Sequence, residues 1–199
     1  MEKPKSNLEL RHLVVNYLVK ERKPEKITLL DVSEIEDFSK IFYGMKNIQK
    51  LDLSTWEVKQ AYKFDFMFSQ SDFSGMGIQN WTMKNAVSAQ GMFMMCKYLD
   101  INNFDISSWV LVNIKDISFM FDSSDILKTK TLKKLCLWDR YINENVNTFN
   151  MFGDGKDWEW FKEEYNCEFF LKIKKMNKRP KKSAKELIRS LKNYIIRDV

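Results

Sequence analysis

One aromatic phrase that returns at a fixed length constrains this chain more than any other feature. A Trp or Leu is followed twelve residues later by Phe: Leu30 to Phe42, Trp56 to Phe68, Trp81 to Phe93 and Trp109 to Phe121, with a stretched fifth copy from Trp138 to Phe152. The residue before each Phe is aliphatic or Met, and the closing Phe recurs every 25 to 31 residues. A unit this short cannot enclose its own apolar side. It has to stack on a neighbour, and such stacks present long surfaces rather than deep pockets.

The interior of the phrase is apolar in register. Val32, Val58, Met83 and Leu111 hold the same place in four copies, as do Ile35, Ala61, Ala86 and Ile114, then Phe38, Phe64, Ala89 and Ile117, then Ile41, Met67, Met92 and Met120. A spacing of three suits short helical or 3₁₀ turns that point one edge inward. Equivalent rings are expected to pile into a Phe ladder and a Trp ladder. Ahead of each Trp, Leu51-Asp52-Leu53-Ser54, Met76-Gly77-Ile78-Gln79, Phe104-Asp105-Ile106-Ser107 and, closer to its Trp, Leu135-Cys136-Leu137 alternate apolar and polar. Period-two alternation predicts short, half-buried strands that stack into one parallel sheet. The fold class expected is therefore an α/β solenoid.

The phrases Leu51-Asp-Leu-Ser-Thr-Trp-Glu-Val58, Asp31-Val-Ser-Glu-Ile-Glu-Asp-Phe-Ser-Lys-Ile-Phe42 and Phe104-Asp-Ile-Ser-Ser-Trp109 through Phe121 resemble the BspA-type leucine-rich-repeat family, whose mycoplasma-lipoprotein-type repeats look like "LDLSxWDVSxVxDMSxMF". The resemblance covers about residues 27–152. It implies a leucine-rich-repeat-like stack used for protein–protein contact, often on bacterial surfaces, and no enzymatic activity. The chain departs from the pattern where Ala61, Tyr62, Ala86 and Ala89 replace commoner residues, and at both ends.

Outside the repeats, residues 1–26 read as an N-terminal helical cap. Ser6-Asn-Leu-Glu9 fits a capping box, and Leu10, Val14, Tyr17 and Leu18 share a helical face. Residues 153–199 read as a C-terminal cap and basic tail. This part holds a helix near Asp157–Tyr165 with Trp158, Phe161 and Tyr165 on one face, a strand over Cys167–Ile173, and a tail helix opened by Ser183-Ala-Lys-Glu186. Charge is concentrated there. Residues 172–192 carry a net +9 and residues 1–171 a net −3, within a chain of net +6. A basic run of this kind binds phosphate backbones, acidic proteins or anionic membranes, or serves only as a solvated linker. It contains no interleaved aromatics for base stacking.

Composition sets limits. At 199 residues, 44 % hydrophobic and 14 % aromatic, the chain has the makings of a packed domain rather than a disordered one. Leu10–Val19 is too short and too polar to span a membrane, and no secretory signal is legible at the start, so a cytoplasmic location is expected. Cys96, Cys136 and Cys167 form no CxxC motif and read as buried thiols rather than disulfide or zinc ligands. The sequon Asn80-Trp81-Thr82 has its middle residue in the Trp series, so it reads as structural. His12 is the only histidine and has no base-orienting companion in sequence. Gly153-Asp-Gly-Lys-Asp157 lacks the length and ending of a P-loop. Asp100-Ile-Asn102-Asn-Phe104 begins like a calcium loop, then puts Phe104 where an oxygen ligand belongs. No catalytic, cofactor-binding or metal-ligating set is expected.

The leading expectation is a non-catalytic protein–protein interaction module whose partner, another protein, docks on the sheet face. Its outward positions are Lys50, Asp52, Ser54, Gly77, Gln79, Asn103, Asp105, Ser107 and Lys134. A first alternative is a small phage or mobile-element inhibitor that blocks a nucleic-acid-handling host defence enzyme. A second is direct nucleic-acid binding through the tail residues Lys174, Lys175, Lys178, Arg179, Lys181 and Lys182.

Overall fold

A computed structural model of the chain describes residues 2–100, 104–128, 130–153 and 168–176. Helix α1 (Asn7–Val15) runs into a π-helical turn (Asn16–Lys20) and a 3₁₀ helix (Pro24–Leu29). Five coils follow, led by Leu30, Trp56, Trp81, Trp109 and Trp138. Two 3₁₀ helices, Asp125–Lys128 and Lys130–Trp138, join the last two coils, and α2 (Glu168–Met176) is the final described element.

The coils are held together by a backbone ladder with a repeating rule. Amides of Phe38, Lys40, Phe42 and Gly44 donate to carbonyls of Lys63, Asp65, Met67 and Ser69 in the next coil. Those of Phe64, Phe66, Phe68 and Gln70 donate to Ser88, Gln90, Met92 and Met94, and those of Ala89, Gly91, Phe93 and Met95 to Asp116, Ser118, Met120 and Asp122. Ile117, Phe119 and Phe121 continue onto Asn147, Phe149 and Met151, and all these N···O distances lie between 2.8 and 3.0 Å. The amides in between stay at home: Ile41, Tyr43 and Met45 donate to the carbonyls of Phe38, Lys40 and Phe42, and later coils do the same.

This division overturns the expected solenoid of parallel strands. Among the described residues there is no strand and no sheet, only isolated parallel bridges running Asp37–Lys63–Ser88–Asp116–Asn147. A strand sends its polar groups sideways to its neighbours, whereas here every second amide closes a turn within its own coil. The chain is wound too tightly for the extended conformation, with left-handed φ near +60° at Lys40, Phe66, Gly91 and Phe119. Nor does the alternating segment ahead of each Trp extend. Trp56, Trp81 and Trp109 amides close turns onto Leu53, Ile78 and Ile106, and only the Leu53 amide crosses there, to Met76. Asp52 and Asp105 carboxylates take the amides of Ser54 and Ser107, as in Asx turns. Leu135–Leu137 lies inside a 3₁₀ helix.

The Phe spine forms. Phe42, Phe68, Phe93, Phe121 and Phe152 are 0 % exposed. Successive centroids lie 5.3, 5.7, 5.8 and 5.8 Å apart, with ring planes within 8° of parallel. These separations mark offset stacking, the favoured arrangement of parallel rings. The Trp ladder does not form as expected: only Trp109 and Trp138 stack on each other, at 6.2 Å. Trp56, Trp81 and Trp109 lie against Phe42, Phe68 and Phe93. Their indole N–H groups reach back one coil to the carbonyls of Ile27, Leu53 and Ile78. Side chains supply further bonds on this side of the stack, where the backbone ladder is missing. Thr55 and Ser108 hydroxyls donate to Thr28 and Gln79 carbonyls, and Asn85 and Asn113 amides to those of Lys59 and Lys84.

Helix α1 closes the first coil with side-chain donors. No earlier coil supplies amides to the carbonyls of Asp37, Ser39 and Ile41. Asn7 Nδ2 donates to Asp37 and Ser39 at 2.9 Å each, and Arg11 to Lys40 and Ile41. Ser6 Oγ caps the helix by accepting from the Glu9 amide, while Glu9 reaches back to the Lys5 amide, one residue before the one a capping box uses. Leu10 and Val14 join the core. At the other end, Phe170 of α2 sits 5.3 Å from Phe152. Cys167–Ile173 is therefore no strand as far as it is described. Phe169, Phe170 and Ile173 fall on one helical face and are buried. The expected helices at Asp157–Tyr165 and beyond Ser183 lie outside the described residues.

A second apolar cluster of Tyr43, Phe66, Met94 and Phe119 packs on the other side of the ladder. Here Gly91 is indispensable. Its φ is +57°, and a Cβ would stand 2.3 Å from the Phe66 ring. Gly44, at φ +69°, has nothing within 4 Å of a Cβ. Gly91→Ala is expected to cost about 3 kcal/mol, the left-handed penalty plus overpacking, and Gly44→Ala about 1 kcal/mol from φ alone. Urea midpoints of the two variants check this; equal losses would contradict it.

Candidate functional site

The positions expected to face outward divide into three groups. Lys50, Asp52 and Ser54 are exposed. Asp52 Oδ1 accepts from the Ser54 amide at 2.9 Å, which fixes the carboxylate relative to its own backbone. Asp105 and Ser107 are half-buried and similarly locked, the Ser107 amide and hydroxyl both donating to Asp105 Oδ1. Lys134 is exposed and pairs with Asp105 Oδ2 from the next coil. Partial burial works against the Asp105 charge, but the Lys134 ammonium and the Ser107 donors outweigh it and hold the carboxyl below its ordinary value.

Two other positions do not fit. Gly77 is buried. A Cβ there would lie 2.3 Å from both Asp52 Oδ1 and the Ser54 nitrogen, so the glycine is where two coils touch and is not a contact point. Gln79 is half-buried; its carbonyl accepts from Ser108, and its buried Oε1 has no partner among the described residues. Asn103 lies outside the described residues. Of the tail set, Lys174 and Lys175 are exposed on the last turn of α2, and Lys178, Arg179, Lys181 and Lys182 lie outside the described residues.

Other chemistry-bearing groups are used structurally. His12 is exposed on α1. The buried Cys96 thiol donates to the Phe68 carbonyl, and burial pushes its pKa up to about 12, so it stays protonated. Cys136 is disulfide-bonded, against the expectation of three free thiols. Among the described residues no three His, Cys, Asp or Glu side chains are grouped to hold a metal ion, and no helix is long and apolar enough to cross a membrane.

An open hollow of about 490 Å³ was not foreseen. It lies beyond the Phe spine, where the coils led by Leu30, Trp56 and Trp81 turn back. The fourth residue after each spine Phe is Lys46, Asp72 and Lys97. That alternation of charge was the signal in the sequence, hidden because it lies outside the twelve-residue phrase.

Asp65 is a half-buried carboxylate of the ladder, its side chain 16 % exposed. It accepts from the Ser88 hydroxyl and the Gln90 amide of the next coil. This makes good the missing acid at position 88, where other coils have Asp37 or Asp116. Burial raises its pKa; the two donors and Lys63 only partly compensate. The folded protein thus holds this proton to higher pH than the unfolded chain. The stability gained is complete below the unfolded value, about 4, and is lost as pH rises through the folded one. Asp65→Asn keeps the acceptor without the charge. Its stability relative to the parent should rise from near zero at pH 3–4 to a gain within about 1 kcal/mol at pH 7, followed by denaturant unfolding across pH. A loss that grows with pH would contradict it.

No curated protein and no solved structure matches the chain. A family model does match, over residues 14–135, which is more than half the chain and runs from α1 through the first four coils into the 3₁₀ helix ahead of Trp138. The chain is a member of the family described as Mycoplasma protein of unknown function, DUF285.

Proposed function

We propose that this protein is a non-catalytic binding module of the BspA-like repeat type, docking another protein on the turn face that carries Lys50, Asp52, Ser54, Asp105, Ser107 and Lys134. The observation that carries the reading is the pinning of Asp52 and Asp105. Each carboxylate is fixed by a serine of its own turn, and each turn by its place in the stack. Fixed side chains lose little entropy on binding, which is where affinity at a polar surface is usually lost. Lys50 is exposed and has no partner among the described residues, and Asp52 is exposed with only its Oδ1 engaged among them.

The Cys136 disulfide bears on the alternatives. Disulfides persist in oxidising compartments, which favours a surface or exported setting over the cytoplasm where an inhibitor of a host defence enzyme would work. The nucleic-acid reading rests on a tail that begins inside α2. Ile173 is part of the core, so only a cut after Met176 separates the tail's role from folding.

Asp52→Lys combined with Asp105→Lys reverses the face at two exposed or half-exposed points and leaves Gln79 in place. The variant loses the surface pair to Lys134, at most about 1 kcal/mol, and the serine bonds that Asp52 and Asp105 accept in their turns, about 1 kcal/mol each, so its fold is checked first by circular dichroism and urea unfolding. Affinity capture from the native cell should recover a partner with the parent chain and at least about tenfold less with the variant, a difference of roughly 1.4 kcal/mol. Equal recovery would count against this face.

A further inference from the structure

We propose that the hollow between Lys46 and Tyr98 is a second binding site, for an acidic peptide segment. Its charges are unevenly spent. Asp72, with a side chain only 13 % exposed, takes Lys46 Nζ at 3.0 Å on Oδ1, and Oδ2 faces the Asn47 amide and Gln49 Nε2 at 3.4 Å. Lys46 also donates to the Gln70 carbonyl. The one carboxylate facing the hollow is thus engaged from the side of the first coil. Lys97, the exposed cation on the opposite wall, has no partner among the described residues.

Two first- and second-coil positions shape the space facing Lys97. Gly44 brings no side chain to the first-coil wall. Gln70, which lines the hollow at the equivalent place one coil on, is held in position by the hydrogen bond its Nε2 donates to Tyr43 Oη at 2.6 Å. The third-coil wall is half-buried Met95 and the ring of Tyr98, which is 52 % exposed. The Lys97 ammonium, together with the Met95 thioether and the Tyr98 phenol ring, matches an Asp or Glu carboxylate flanked by an apolar residue. A charge-assisted bond to Lys97 supplies direction, and Met95 and Tyr98 supply apolar contact. The volume is in the range of sites that hold a few side chains. A nucleic-acid backbone is a poorer match. It gains affinity by neutralising several phosphates at once, whereas of the two lysines lining this hollow Lys46 is engaged by Asp72 and only Lys97 has no partner among the described residues.

The test uses a fluorescein-labelled hexapeptide of alternating Glu and Leu, read by anisotropy with the full chain. The parent should bind it, and binding should weaken as salt is added. Lys97→Glu should lose at least about tenfold, roughly 1.4 kcal/mol. Lys97→Gln should fall between the two, and Tyr98→Ala should weaken binding without abolishing it. Lys134→Glu and the Asp52→Lys/Asp105→Lys protein should bind as the parent does, so the two sites stand or fall separately. No binding by the parent, equal binding by Lys97→Glu, or tighter binding of a dT6 oligonucleotide that depends on Lys97 would overturn the proposal.

Discussion

The structure depends on how backbone amides are shared between and within coils. From Phe38 onward, and again in each later coil, one amide crosses to the neighbouring coil and the next closes a turn at home. A buried amide left unpaired costs about 1–3 kcal/mol, more than a made bond contributes, so this sharing limits what the chain can do. It fixes the separation of the coils, and so how the Phe rings meet: parallel, offset and fully buried. It also demands left-handed backbone at regular intervals, accepted at Lys40, Phe66 and Phe119 despite their side chains, and used at Gly91 to let the Phe66 ring lie over the ladder.

A ladder of this kind leaves unpaired groups at its start, and the ending is part of the design. Asn7 and Arg11 reproduce with side chains what a preceding coil would have supplied with amides. On the flank without a ladder, indole, hydroxyl and carboxamide groups perform the same task. The surface inherits its rigidity from these bonds. Asp52 and Asp105 are each held by a serine of their own turn, and Asp105 also by Lys134 of the next coil.

What could be read from sequence was whatever the side chains repeat. The Phe spine, the inward positions and the helical start at Ser6 all announce themselves through spacing and polarity. Conformation did not. Period-two alternation in Leu51–Ser54 is equally the signature of a strand and of a turn whose Asp caps the next serine, and the second won because turns close at Trp56, Trp81 and Trp109. Left-handed residues are announced by glycine, and at Lys40, Phe66 and Phe119 there is none. Phe169 to Ile173 was too short a pattern to separate helix from strand. Gly77 read as outward because alternation assigns faces but cannot sense how closely the next coil approaches.

The most direct test of the shared-amide ladder is residue-resolved hydrogen exchange. The amides of Phe64, Phe66, Phe68, Ala89, Gly91 and Phe93 cross between coils and should be the slowest to exchange, opening together as one unit. Amides in Leu51–Ser54, apart from that of Leu53, which crosses to Met76, and in Phe104–Ser107 should exchange earlier. Protection concentrated in those two segments, with fast exchange at Phe68 and Phe93, would mean that strands ahead of each Trp hold the coils together and that the shared amides do not.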